Sequence, residues 1–427
     1  MNIESSNGKT NRHNLEKYNV NVRTAFFTIM LSIFVDVLGY SMILPLLPSI
    51  AKIFGAEDII VGFLISSNAI TALIFGPIWG RLSDVYGRKP ILVISQLGTF
   101  AAFIILGFSN SIFIIFISRI VDGIFGGQIP VIRAIIADIT TPQTRSSEIG
   151  KITVSFSLGM VLGPSIGGLL GAINWRYPAF LACVISIISI ILTLKVLIES
   201  MPPERRVDLR EQLSSSLEAG IRKSIWNKAL LLRLFQLFLA FSFTTMFNSS
   251  LALVMDKRYG VDPSMIGFVM TLGALLIMIY GGFLLKRLIR KFNERNILLF
   301  AFLLATILGF LYPYLYELWM VFIFIFPFTF CMAVLNPLIL SNITKSVEAD
   351  RQGLASGWST NVQSLAQSSI PIVSTGFLQI GSLTLGFISL NQYELIGFTT
   401  AFITIILIII ALIDLKLHPD LYEYEEN

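Results

Sequence analysis

Four ionisable residues stand where few are expected: Asp36, Arg119, Asp122 and Arg133 all lie inside long apolar runs. A charge in hydrocarbon is costly, so such residues normally face a partner or a water-filled passage. Asp36 sits about a dozen residues into its run, within FVDVLGYSMILPLLP. A carboxyl group there suits reversible protonation, because losing the charge relieves its desolvation. The other reading of Asp36 is a permanently ionised pair with an arginine of the fourth run. That run, ISRIVDGIFGGQIPVIRAIIAD, holds Arg119, Asp122 and Arg133. As one continuous helix it places the two arginines about 21 Å apart on a similar face, at different depths. Asp122, three residues after Arg119, can neutralise it locally. Arg133 can hold an anionic group, pair with Asp36 or Asp138, or extend to the membrane surface.

Weaker polar positions complete a candidate cavity: Asn68 on the second run, Gln128 on the fourth, Asn248 on the seventh, Asn336 on the tenth, and Asn361 and Gln363 on the eleventh. Each is equally well explained as a hydrogen bond joining two helices. Histidine takes no part, since His13 and His418 lie in the polar tails. Cys183 and Cys331 stand singly in apolar runs, so no disulfide framework, metal site or cofactor is expected. Without an intramembrane histidine or paired acids at a catalytic spacing, an enzyme is not expected.

The elements that position these residues follow from composition. Apolar residues make up 55% of the chain and charged ones 13%, against roughly 25% charged in a soluble globular protein. The apolar residues fall into runs long enough to cross a bilayer as helices. Six are expected near 24–48, 59–80, 91–109, 111–139, 152–171 and 177–194, and six more near 229–254, 263–285, 296–316, 318–341, 353–379 and 394–415. The first run holds an acid and lacks a cleavage site, so it reads as a retained span. The fold class is therefore an all-α polytopic membrane protein of twelve spans in two six-helix bundles, 1–194 and 229–427. The polar stretch 195–228 between them reads as a linker with an interfacial amphipathic helix.

Positive charge fixes the expected orientation. With both termini inside, the tails and inner loops hold 24 of the 31 basic residues, and the outer loops only Lys52, Arg176, Lys257 and Arg258. This separation places both tails in the cytoplasm. Arg119, Arg133 and Arg233 remain within spans, and Arg233 is close enough to an inner end to snorkel. The net charge of +5 belongs to these loops rather than to a nucleic-acid surface. An internal repeat supports the two halves. GRLSDVYGRKP, starting at Gly80, returns as KRLIRKFNER, which sets Arg81 against Arg287 at an offset of 206 residues. Arg145 and Arg351 share that offset, and Pro164 and Pro371 differ from it by one. Repeated halves suit a membrane protein that exposes one central site to each side in turn.

The loop motif Gly80-Arg-Leu-Ser-Asp84-Val-Tyr-Gly87-Arg88-Lys89 resembles the signature between the second and third spans of the major facilitator superfamily, and the chain resembles the drug/proton antiporter branch that includes the tetracycline exporters. The likeness extends over essentially the whole length. Val85 departs from the motif where relatives often carry a further arginine. Gly80 and Gly87 suit a tight turn, while Asp84, Arg88 and Lys89 can form charge-assisted bonds at a cytoplasmic gate. The resemblance implies that Asp84 faces the start of the eleventh helix and that Arg88 pairs with the acid ending the fourth, Asp138.

Other features resemble the same family. Gly159, Gly163, Pro164, Gly167 and Gly168 match a fifth-helix pattern found in antiporters, although their four-residue spacing is equally that of a close helix crossing. Asp36, followed by Gly39, Pro45 and Pro48, resembles the first-helix pattern whose acid couples or binds substrate in many relatives. Arg119 with Gly123 and Gly127 resembles a fourth-helix signature in which the arginine assists proton transfer. The implied function is proton-coupled export of small molecules across a cytoplasmic membrane by a monomer. Proton symport or facilitated uptake of a metabolite, and a receptor or scaffold on the same fold, are the competing readings.

Overall fold

The computed structural model describes residues 22–140, 142–201, 206, 228–347, 352–385 and 388–417. The two tails, the residues 348–351 just before the eleventh span and nearly all of the expected interfacial linker helix lie outside the described residues. The side chain of Arg145 does also.

The first span is α1 (Val22–Ile43), a single 3-10 turn over Leu44–Leu46, and α2 (Leu47–Ile53). Pro45 and Pro48 fall at this joint, where a missing N–H interrupts the helical ladder. The next spans are α3 (Asp58–Tyr86) and α4 (Arg88–Gly107), and the fourth is divided into α5 (Ile112–Phe125) and α6 (Ile129–Ile139). Ser111 starts α5 by accepting the Ile114 N–H at 3.4 Å. The set closes with α7 (Pro142–Ile173), which continues through Pro164, and α8 (Tyr177–Val196).

The second set begins with α9 (Lys228–Tyr259) and continues with α10 (Pro263–Ile279), whose first turn is capped by Asp262. A π-helical turn at Tyr280–Leu284 joins α10 to α11 (Leu285–Phe292), and these three pieces make one span. Then come α12 (Glu294–Leu311), α13 (Leu318–Lys345) and α14 (Gln352–Ile380). An antiparallel hairpin, β1 (Ser382–Leu385) with β2 (Ile388–Asn391), precedes α15 (Gln392–Leu417). This hairpin is an addition to the otherwise helical architecture expected from the sequence.

Eleven of the twelve spans are long and apolar enough to cross a membrane by composition alone. The twelfth, α14, is 29 residues long but studded with Ser, Thr, Asn and Gln. Large apolar side chains remain exposed along the spans, including Phe27, Phe113, Phe283, Ile323 and Phe402. In water these would be a liability; in lipid they are at home.

Contacts group the chain into two units: Met1–Leu44 with Ile70–Ser224, and Pro45–Ala69 with Ile225–Asn427. The helix pairings inside the first unit recur inside the second. The pairs α1 with α7, α1 with α8, α4 with α5 and α4 with α8 correspond to α9 with α14, α9 with α15, α12 with α13 and α12 with α15. The 206-residue repeat is thus a repeat of packing as well as of sequence. The unit boundaries do not follow the halves expected at 1–194 and 229–427, because residues 45–69 pack with the second half.

One expectation fails outright. Arg233 does not reach a membrane surface; its side chain is 1% exposed and its Nε and Nη2 each donate to Asp414 at 3.2 Å. A fork-shaped guanidinium facing a carboxylate satisfies both groups without water, so the pair can lie between α9 and α15.

Candidate functional site

Asp36 lines a small cavity together with Ser32, Val35, Gln96, Thr99, Gln128, Ser186 and Ser189. These residues come from α1, α4, α8 and the break between α5 and α6, all within the first unit. A directed chain of hydrogen bonds ends on the carboxylate. Gln96 Nε2 donates to Ser32 Oγ at 2.8 Å, and Ser32 Oγ donates to Gln128 Oε1 at 3.0 Å. Gln128 in turn hydrogen-bonds Asp36. Gln96 Nε2 also contacts Thr193 Oγ1 at 3.0 Å and Ser189 Oγ at 3.3 Å. Asp122 acts on Asp36 electrostatically, and Arg119 and Asp122 both act on Tyr40, one turn further along α1. Arg119 and Asp122 form a buried pair at 3.2 Å, and Arg119 also bonds Ser118.

The break in the fourth span is built by neighbouring helices. Ending α5 at Phe125 frees carbonyls that no helical N–H can reach. The Trp79 indole N–H donates to Ile124 O at 2.5 Å, and the Ser95 hydroxyl donates to Phe125 O. Gly127 brings the chain so near α3 that a Cβ there would lie 2.8 Å from Gly76 Cα. Gln128 is the N-cap residue of α6 and Pro130 stands in its first turn. The sequence implied fourteen unbroken helical residues between Arg119 and Arg133; the interruption overturns that expectation and the shared face derived from it. Arg119 is buried while Arg133 is exposed.

The glycine stripe of α7 packs on α1 beside Asp36. A Cβ at Gly159, Gly163 or Gly167 would fall within 2.9 Å of Val37, 1.8 Å of Ser41 or 2.0 Å of the Met42 carbonyl. Ser41 Oγ donates to Gly159 O at 3.0 Å across the same seam. Gly168 is buried, and Pro164 lies within the uninterrupted helix.

At the loop motif, Gly87 takes φ of 102°, a conformation open to glycine, and links α3 to α4. Arg88 gathers Asp84 at 2.6 Å, Asp138 at 3.3 Å and Ser83 at 2.6 Å. Lys89 turns to α8 and donates to Leu194 O at 2.8 Å. Gly80 lets α3 approach Pro130 of α6. Glu199 was not foreseen. Its carboxylate accepts the Arg88 and Lys89 backbone N–H groups at 2.8 and 3.2 Å, capping α4 where helix dipoles favour negative charge.

The second unit repeats this corner with its charges reversed. Asn293, 206 residues after Gly87, holds φ of 64° and begins α12. Glu294 stands at the counterpart of Arg88 and accepts a bond from Lys345, at the end of α13, at 2.7 Å. An arginine with an acid in one half thus answers to an acid with a lysine in the other.

At the opposite end of the spans, α2 and the start of α3 are tied to α9 within the second unit. Lys52 pairs with Asp256 at 2.6 Å, Lys257 pairs with Asp58, and Ile59 N donates to Gln379 Oε1 of α14 at 3.2 Å. All four basic residues assigned to the outer side therefore have identifiable partners, since Arg258 donates to Pro313 O at 2.7 Å and Arg176 donates to Ser109 O at 2.8 Å. Of the remaining cavity candidates, Asn68, Asn248, Asn336, Asn361 and Gln363 belong to the second unit, with Asn248 and Asn361 exposed and the others half-buried.

A repeated six-helix unit, a broken fourth span and an acid midway along the first span define a polytopic membrane protein of the secondary-transporter class. Residues 29–371 and 234–421 match the model of the Major Facilitator Superfamily, and the chain belongs to that family. Similar proteins include Multidrug resistance protein 1 of Bacillus subtilis (strain 168), 29% identical over 361 residues that cover 84% of this chain and 90% of that one. The class H tetracycline resistance protein of Pasteurella multocida is 27% identical over 339 residues, covering 77% and 82%. Such relatives belong to the drug/proton antiporter branch. Among solved structures, a D-xylose-proton symporter superposes with a TM-score of 0.74 at 15% identity, covering 94% of this chain and 98% of that one. The chain is a multi-pass membrane transporter, not an enzyme.

Proposed function

We propose that this transporter exports drugs or related small molecules from the cell in exchange for protons, with Asp36 as the group that loads and releases the proton. The observation that carries the reading is the Asp36 cluster, in which one carboxyl group is held by Gln128 beside the Arg119–Asp122 pair. Ionised, Asp36 is an acceptor stabilised by the Gln128 amide. Protonated, it becomes neutral and can itself donate. Each change alters the hydrogen bonds around Gln128, which caps the half-helix α6 at a point where backbone is free of the helical ladder. The glycine seam makes α1 and α7 move together, so a shift at Asp36 is transmitted along both helices.

In the proposed orientation both termini face the cytoplasm of a cell-membrane monomer. The corners at Arg88 and Glu294 are then cytoplasmic gate supports, and the Lys52–Asp256 and Lys257–Asp58 pairs brace the outer end within the second unit. Alternating access requires the two ends to open in turn, so these ion pairs break and re-form during transport. Names of the relatives support multidrug and tetracycline-like compounds as the first substrates to try. The test is tetracycline and dye uptake into everted vesicles energised to a known pH gradient. Asp36→Asn should abolish gradient-driven uptake, and uptake that still responds fully to the gradient would end the proposal.

A further inference from the structure

The cavity beside Asp36 has a chemistry that its protein neighbours do not complete. Gln96 Oε1, Thr99 Oγ1 and Ser186 Oγ are buried on its wall and meet no protein hydrogen-bond partner. Their residues are 5%, 4% and 3% exposed. Buried polar atoms are almost always paired with protein or water, and three on one small cavity point to a shared occupant.

The pairing requirements identify that occupant. The Gln96 amide nitrogen is already engaged with Ser32, Ser189 and Thr193, which leaves an oxygen that can only accept. The ionised Asp36 carboxylate also only accepts. Thr99 and Ser186 carry hydroxyls able to donate. A partner for all four must donate twice and accept twice within room for one small molecule, and water does this. From this point Ser186, Ser189 and Thr193 follow one another along α8 at spacings of three and four residues, and lead toward the helix end where Leu194 meets Lys89.

We propose that a water molecule bound by Asp36, Gln96, Thr99 and Ser186 is the proton's immediate partner, and that the proton leaves it for the cytoplasmic end through the interior of the first unit along Ser189 and Thr193. The inference rests on Asp36 being the coupling acid. During release, the carboxyl O–H bond breaks as an O–H bond forms on the water, and the hydronium so formed gives up a proton along the hydroxyl file toward the cytoplasm. Loading brings a proton to the same water from the outer side and on to the carboxylate, with no oxidant or other reactant. Among the described residues, the charged group that acts on Asp36 is Asp122 from α5, which is paired with Arg119; that pair also acts on Tyr40, one turn along α1. The α4, α8 and α6 side of the cavity brings only amides and hydroxyls, and α7 has no ionisable residue from Ile152 to Ile173. Among the described residues, the pH response of Asp36 is therefore coupled to Asp122, itself paired with Arg119.

The experiment is infrared difference spectroscopy on the full chain in nanodiscs after a pH jump, in ordinary and 18O-labelled water, with Asp36→Asn identifying the carboxyl band. The native protein should show an internal-water O–H stretch that shifts with the isotope as Asp36 titrates. Ser186→Ala and Thr99→Val should remove it and slow protonation of Asp36 about tenfold, a modest loss for a misplaced proton relay. Absence of the isotope-sensitive band in native protein would overturn the proposal, whatever the variants do. So would unchanged protonation kinetics in folded variants, or a carboxylate band that shifts with sodium at fixed pH, which would make the occupant a cation. None of these spectroscopic outcomes bears on export itself, which is tested separately by transport in Asp36→Asn.

Discussion

The charge-reversed corners make a prediction that can be worked from burial alone. At the first, the Arg88 side chain is 8% exposed, while Asp84 and Asp138 are 27% and 21% exposed. Removing the arginine strands two carboxylates near each other, but both keep access to solvent. Charge-assisted bonds are worth about 1.5–3 kcal/mol when well buried, and screening brings the expected cost of Arg88→Ala to about 2 kcal/mol. At the second corner the asymmetry is reversed: Glu294 is 5% exposed and Lys345 is 42% exposed. Lys345→Ala leaves a buried acid unpaired and should cost about 1–2 kcal/mol, whereas Glu294→Gln leaves only a well-solvated lysine and should cost under about 1 kcal/mol. For bundles of this size 1 kcal/mol corresponds to roughly 2–4 °C in melting temperature. Thermal unfolding of the single and double variants in detergent gives the coupling directly. The Lys345 variant should be the weaker of its pair, and Arg88→Ala with Asp138→Ala should recover part of the loss. Equal melting of the Glu294 and Lys345 variants, or strictly additive effects at Arg88 and Asp138, would refute the reasoning.

Three further outcomes follow from the same geometry. Asp414→Leu alone should destabilise by about 3–5 kcal/mol, because it leaves Arg233 as an uncompensated buried charge, while the double variant with Arg233→Met should melt close to the native protein. Gly163→Leu should abolish transport and lower expression, since even its Cβ would overlap Ser41 of α1; normal activity would show that this seam opens easily. Exchanging the charges of Lys52 and Asp256 together should preserve transport better than Lys52→Asp alone, and efflux assays in which the two behave alike would remove the latch role.

Much of this architecture is written in the sequence because a bilayer leaves the backbone few choices. Run length gives the spans, and the Gly87 turn and the Arg88–Asp138 juxtaposition lie where a short, specific motif puts them. What escaped the sequence depends on partners remote along the chain. Gly123 and Gly127 read with Arg119 as a fourth-helix signature, yet the break beside Gly127 is sustained by Trp79 and Ser95 from two other spans. Glu199 follows the sixth span with no motif around it, and only the fold brings it to the start of α4. Gln96, Thr99 and Ser186 look like ordinary small polar residues in apolar helices until α1, α4 and α8 enclose them beside Asp36. Arg233 lies near enough to a span end to suggest snorkelling, and its partner is 181 residues away. The second-half corner was hidden for a different reason. Its residues conserve the geometry of the first while exchanging the signs of the charges, so comparison of residue types alone passes over it.

The central claim is that proton and substrate move in opposite directions through the action of Asp36. The most direct measurement imposes an outward-to-inward tetracycline gradient on proteoliposomes at equal pH and follows the internal pH with a trapped indicator. Exchange predicts that substrate entry drives protons out, and that Asp36→Asn abolishes this proton movement. Protons moving inward with the substrate, or a pH that stays flat while native protein carries tetracycline, would contradict it.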